Sequence, residues 1–258
     1  MKLIIIIPVI ISVLALSACG GNKNSRTDEQ NEKSAQLNVK LASGYMKRGQ
    51  LSIAKEKLER ALELDDEYVP AYTTMAVLMD MINEPDEARN YYLEALDIQP
   101  KNPELLNNYG TFLCKMDDVS RLEDAVEQFK KALSNQFYET PQTAHANLGY
   151  CLMKHKKYHN YEESEKHLRK ALKINPKMKI ALITMGELGI KTKRFLMARA
   201  YMQRYHALAT ATAESLWFQI QAEKALGDQQ FFIKLSRQLL NKFPDSPEAK
   251  KLMEFSDK

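Results

Sequence analysis

The sequence contains no glycine-rich phosphate loop and no Cys-x-x-Cys pair, and it has only five histidines and three cysteines in 258 residues. The first absence removes the usual backbone cradle for a nucleotide, and the second removes dithiol redox catalysis. His155 and His159 are four residues apart, but the intervening Lys156-Lys157-Tyr158 supplies no carboxylate and the segment reads as a turn, so no metal site is expected. The acidic pairs Asp65-Asp66 and Asp117-Asp118 fall at helix ends, where turn chemistry and a following helix N-terminus account for them. A formal net charge of +4 is too mild for a nucleic-acid partner. No catalytic residue, cofactor or small-molecule substrate is expected, and the chain does not read as an enzyme.

The one strongly apolar run, Leu3 to Leu16 after Lys2, is too short and one-sided to span a bilayer. It reads as a secretory signal, residues 1–18, that ends in Leu16-Ser17-Ala18-Cys19. This ending resembles a lipobox, which implies that Cys19 is diacylated, becomes the first residue after cleavage, and is then acylated on its amine. Three acyl chains exceed the roughly two-signal threshold for stable anchoring. Gly20 stands where an Asp would mark inner-membrane retention, so in a Gram-negative host the expected location is the outer membrane, facing the periplasm. Residues 19–34 beyond the lipid are polar, non-periodic and without aromatics. They read as a flexible tether with a reach on the order of 20 Å.

Residues 35–258 repeat themselves. Leu41-Ala42-x-x-Tyr45, Gly49, Ala54, Leu58 and Ala61-Leu62 recur as Met75-Ala76-x-x-Met79, Ala88, Tyr92 and Ala95-Leu96, with Ala54 and Ala88 thirty-four residues apart. Further copies begin at Tyr109-Gly110-x-x-Leu113 and Leu148-Gly149-x-x-Leu152, each with about three extra residues between its helices. A weaker fifth begins at Met185-Gly186, and a degenerate sixth lies around Trp217 to Phe243, as suits a capping unit. The spacing divides the domain into repeats at about 35–68, 69–102, 103–141, 142–178, 179–212 and 213–246.

The pattern resembles the tetratricopeptide repeat. Ala42, Ala76, Gly110 and Gly149 on first helices, with Ala54, Ala88 and Ala125 on second helices, let antiparallel helices approach closely. Leu58, Tyr92, Phe129 and Leu168 fill the space to the next hairpin, and Pro100 and Pro176 stop second helices. The expected fold is all-α, a right-handed superhelical solenoid of about six hairpins whose first helices line a concave groove. By helical phase the groove lining is Val39, Ser43 and Met46, then Thr73, Val77 and Asp80, then Asn107 and Thr111, then Ala146 and Tyr150. Such a mixed lining suits an extended peptide or a helix. Asn107 and Asn108 have a second reading, as partners in helix-to-helix hydrogen bonds. Cys114 and Cys151 sit at nearly the same height on neighbouring first helices. A disulfide between them is expected in an oxidising compartment; the other reading is two buried thiols packing as small hydrophobes.

Three stretches narrow the resemblance: Leu106-Asn107-Asn108-Tyr109-Gly110-Thr111-Phe112-Leu113-Cys114, Ala146-Asn147-Leu148-Gly149-Tyr150-Cys151 and Lys224-Ala225-Leu226-Gly227-Asp228. With the lipobox they are similar to the PilF/PilW-type pilotins of type IV pilus biogenesis. Ser164, in place of the usual Ala, and the longer turns near Asp118 and Asn160 depart from that pattern. The resemblance implies a lipid-anchored protein that binds secretin subunits, carries them to the outer membrane and supports their multimerisation. A periplasmic repeat scaffold for cell-wall or outer-membrane assembly factors is the alternative.

Overall fold

The computed structural model describes residues 23–116, 119–155 and 159–256, which form thirteen helices and no strand. The signal segment 1–18 and Cys19 lie outside the described residues. The observed class is all-α, built from antiparallel helical hairpins. Among the described residues no helix is long and apolar enough to cross a membrane. The chain divides into two compact units, one ending at Ala71 and one starting at Tyr72.

The first unit holds the hairpin of α1 (Lys23–Lys47) and α2 (Leu51–Leu64). Ala42, Ala54 and Leu58 are fully buried in it, and Ala35, Ala61 and Ala71 form a further cluster against Val39, Leu62, Leu64 and Tyr68. The turn between the helices needs a left-handed residue, which Gly49 supplies at φ 72°. The start of α1 corrects the expected tether. From Lys23 onward that segment is helical, with Glu29 and Lys33 paired one turn apart. Polar composition without glycine or proline does not distinguish a solvated helix from coil, and an i,i+4 pair favours the helix.

In the second unit the hairpins are α3 (Val69–Met81, begun in the first unit) with α4 (Pro85–Ile98), α5 (Pro103–Leu113) with α6 (Val119–Ser134), α7 (Pro141–Lys154) with α8 (Tyr161–Ile174), α9 (Lys179–Lys191) with α10 (Phe195–His206), and α11 (Ala213–Leu226) with α12 (Gln229–Lys242). The helix starts are chemically marked. Pro85, Pro103 and Pro141 occupy first-turn positions where no N–H is needed, and the Asn102 and Asn160 side chains accept from Leu105 N and Glu163 N at 3.1 and 3.0 Å. Gly149 must be glycine, because a Cβ there would lie 2.7 Å from Leu168 Cγ and 3.0 Å from the Ser164 carbonyl. Ser164 keeps the small volume of alanine and adds a hydrogen bond, its hydroxyl donating to Gly149 O at 2.6 Å.

The sixth repeat, degenerate in sequence, is nonetheless a complete hairpin. Thr212 and Ser215 form a capping box at the start of α11, and Gly227 ends that helix at φ 76°. A final helix, α13 (Pro247–Ser256), packs on both α11 and α12, with Ala249 and Leu252 joining Leu216, Ile220, Leu235 and Leu239 in one apolar cluster. The added helix covers a face that the repeat would otherwise leave open.

Candidate protein-docking face

In the second unit the first helices form a ladder, since α5 contacts α7, α7 contacts α9, and α9 contacts α11. Polar side chains tie its rungs together. Asn147 on α7 donates through Nδ2 to both Asn107 Oδ1 and Thr111 Oγ1 on α5, each at 3.1 Å. Asn107 is only 5% exposed and serves the helix-to-helix reading of that asparagine. Lys154 donates to Glu187 on α9 at 2.9 Å and lies 3.9 Å from Glu214 on α11. Burial works against its charge, but the Glu187 hydrogen bond and the neighbouring carboxylates hold the ammonium above its ordinary pKa. Glu214 is shifted upward by burial, against the pull of Lys154. Asp80 on α3 pairs with Lys115 just past α5.

The expected lining separates into three groups. Thr73, Asp80 and Thr111 are partly exposed, and Val77 and Tyr150 are open, Tyr150 to 39%. Val39 and Ser43, in the first unit, are also partly exposed. Met46, Asn107 and Ala146 are not lining. Met46 is 9% exposed, and Ala146 is fully buried in the cluster that includes Leu168, Leu182 and Met185. Ala146 faces the next hairpin, whose Leu182 and Met185 join its cluster, and helical phase within one hairpin does not show where the next one packs.

Cys114 and Cys151 form a disulfide with Cα atoms 5.7 Å apart, joining the end of α5 to the last turn of α7. Beside it is a cavity of about 420 Å³. Phe129, Cys114 and Met116 supply its apolar lining, while Thr111, Asn147, Tyr150, Lys115, Lys154 and His155 supply the rest. Lys154 Nζ lies 5.6 Å from the Tyr150 ring centre.

The histidines take other roles. His155 is buried, and His159 stacks on Tyr161 at 4.3 Å. His145 and His167 face each other across α7 and α8, Nδ1 to Nδ1 at 2.9 Å, and Glu163 lies 3.3 Å from the far nitrogen of His167. Burial, with His167 and Lys170 nearby, lowers the His145 pKa to about 4. Among the described residues no group of three or more His, Cys, Asp or Glu is placed to hold a metal ion.

Asn147, Lys115, Lys154 and Glu187 were not among the residues expected from sequence. A signal for two of the contacts was nonetheless present. Lys154 and Glu187 are 33 residues apart and Asp80 and Lys115 are 35 apart, about one repeat in each case, so opposite charges at that separation fall on adjacent rungs.

Sequence profiles of the tetratricopeptide repeat match residues 45–107, 91–127 and 143–178. The type IV pilus assembly protein PilF of Pseudomonas aeruginosa is 27% identical over 243 residues, covering 93% of this chain and 94% of the relative. A crystal structure of PilW, a widely conserved type IV pilus biogenesis factor, matches with a TM-score of 0.76 at 27% identity over 85% of this chain and 98% of that one. The chain is a tetratricopeptide-repeat protein of the PilF/PilW type. The structure of Pseudomonas aeruginosa PilF itself matches with a TM-score of 0.74 at 26% identity, covering 87% of this chain and 99% of that one. PilF/PilW-type proteins are non-enzymatic scaffolds, so the laddered face and its cavity are read for docking, not for a reaction.

Proposed function

We propose that this chain is an outer-membrane lipoprotein of the pilotin kind, which binds secretin subunits in the periplasm, brings them to the outer membrane through its lipid and promotes their multimerisation for type IV pilus biogenesis. The observation that carries this reading is the near full-length likeness to PilF, at 94% of that protein's length. The lipobox ending in Cys19 agrees with it. The work done is physical. Acyl chains set the address, and the docking face raises the effective concentration of bound subunits at one membrane. The test is a deletion strain together with a Cys19→Ser strain. Deletion is expected to lower secretin multimers and abolish surface pili, and Cys19→Ser to leave multimers at the inner membrane. Normal multimers after deletion refute the reading, and recovery of cell-wall or assembly factors alone on pull-down replaces it with a scaffold role.

A further inference from the structure

The cavity between α5 and α7 has a composition that selects its occupant. Its volume of about 420 Å³ falls within the roughly 300–1,000 Å³ range of sites that enclose small ligands or large side chains. One side is apolar, lined by Met116 and Cys114 with the Phe129 ring buried behind them. The charged members of the lining are Lys115 and Lys154, and among the described lining residues there is no carboxylate.

Both lysines retain capacity to bind. Lys115 is 62% exposed while paired with Asp80, and Lys154 holds Glu187 at 2.9 Å with Glu214 further off at 3.9 Å. An ammonium has three donors, so an incoming carboxylate joins these pairs instead of displacing them. The Asn147 amide nitrogen is committed to Asn107 and Thr111, which leaves its Oδ1 to accept a peptide N–H. The open Tyr150 ring stands beside Lys154 and offers a flat apolar wall.

We propose that this cavity receives an acidic segment of the partner, seating one large apolar side chain against Met116, Cys114 and the open Tyr150 ring while Lys115 and Lys154 hold an adjacent carboxylate. The site lies wholly within the third and fourth hairpins. The inference rests on the pilotin reading only in taking the partner to be a secretin.

The probes are fluorescent 15-residue peptides tiling the periplasmic part of the host's secretin, titrated against the full mature chain carrying Cys19→Ser. Bound peptides are expected to pair an aromatic or large aliphatic residue with a nearby Asp or Glu, and to bind more weakly as salt rises. Lys115→Gln/Lys154→Gln is expected to weaken them roughly tenfold, as loss of a close charge contact does, and Lys115→Arg/Lys154→Arg to restore most of the binding. Unchanged thermal unfolding of the Gln variant shows that the loss is not one of folding. Peptides that bind equally well to the Gln variant, or that carry no acidic residue, overturn the inference. Pull-down from envelopes separates the two proposals. If the wild type and the Gln variant both recover secretin, the cavity assignment fails and the function stands; if the wild type recovers none, the function reading fails and this inference fails with it.

Discussion

The third and fourth hairpins and the fifth and sixth hairpins solve the same packing problem by different means. In the fifth and sixth, the turn between helices is short and pinned by one left-handed residue, Lys193 at φ 57° and Gly227 at φ 76°. The helices are then locked by charge. Arg199 on α10 pairs with Glu223 on α11, which is 1% exposed, and Arg194 on the turn before α10 pairs with Glu165 on α8 at 2.6 Å. In the third and fourth, α5 and α6 are separated by residues 114–118 and α7 and α8 by residues 155–160. The Cys114–Cys151 disulfide ties the two hairpins together at that same end. Ion pairs occur in both regions; the disulfide and the longer turns within a hairpin are found only beside the cavity, among the described residues.

Removing each device tests this contrast. The largest effect is expected from Cys114→Ser/Cys151→Ser. Freeing a loop with a sequence separation of 37 residues costs about 3–4 kcal/mol by loop entropy, readable in chemical denaturation, with the loss concentrated in hydrogen exchange of α5 to α8. Exchange that rises equally in α9 to α12 breaks the contrast. Next comes Arg199→Ala, which strips the partner from the buried Glu223 and is expected to cost about 3 kcal/mol. The double variant Arg199→Met/Glu223→Leu should recover most of that stability, and a failure to recover assigns the loss to packing.

A smaller effect distinguishes the fourth hairpin by pH. His145 has its pKa lowered from 6.5 to about 4 in the folded protein, so the unfolded chain binds the extra proton first. Its contribution is fully present above about pH 6.5 and is lost as pH falls from there toward 4. A His145→Gln variant should show a shallower fall in thermal midpoint across that window, and equal slopes in the two proteins remove His145 as the cause. The smallest expected effect is a gain. Lys193→Gly relieves a lysine held at positive φ and should stabilise by about 0.5–1 kcal/mol, as a left-handed site favours glycine. A lower thermal midpoint shows instead that unfolded-state entropy outweighs the relief.

The period was readable because every hairpin meets its neighbours in the same way, which imposes the same small and large residues thirty-four positions on, as at Ala54 and Ala88. The groove was partly readable. Tyr150, Val77 and Thr111 keep exposed surface, whereas Ala146 is covered by the following hairpin, whose placement is a property of the stack. The helical start of α1 is not legible because solvated helix and tether share a composition, and the sixth hairpin carries little of the repeat pattern because its caps, Thr212 with Ser215 and Gly227, mark its first helix instead.

The sequence by itself determined the all-α class, the hairpin repeat, and the small residues at helix crossings, since these follow from spacing along one chain. The tertiary structure alone decided that Asn147 reaches Asn107, that His145 meets His167, and that Lys115 and Lys154 rim one cavity beside the disulfide. Those contacts join residues 22 to 40 apart in sequence, and their existence depends on the rotation and offset between successive hairpins, which no residue encodes locally.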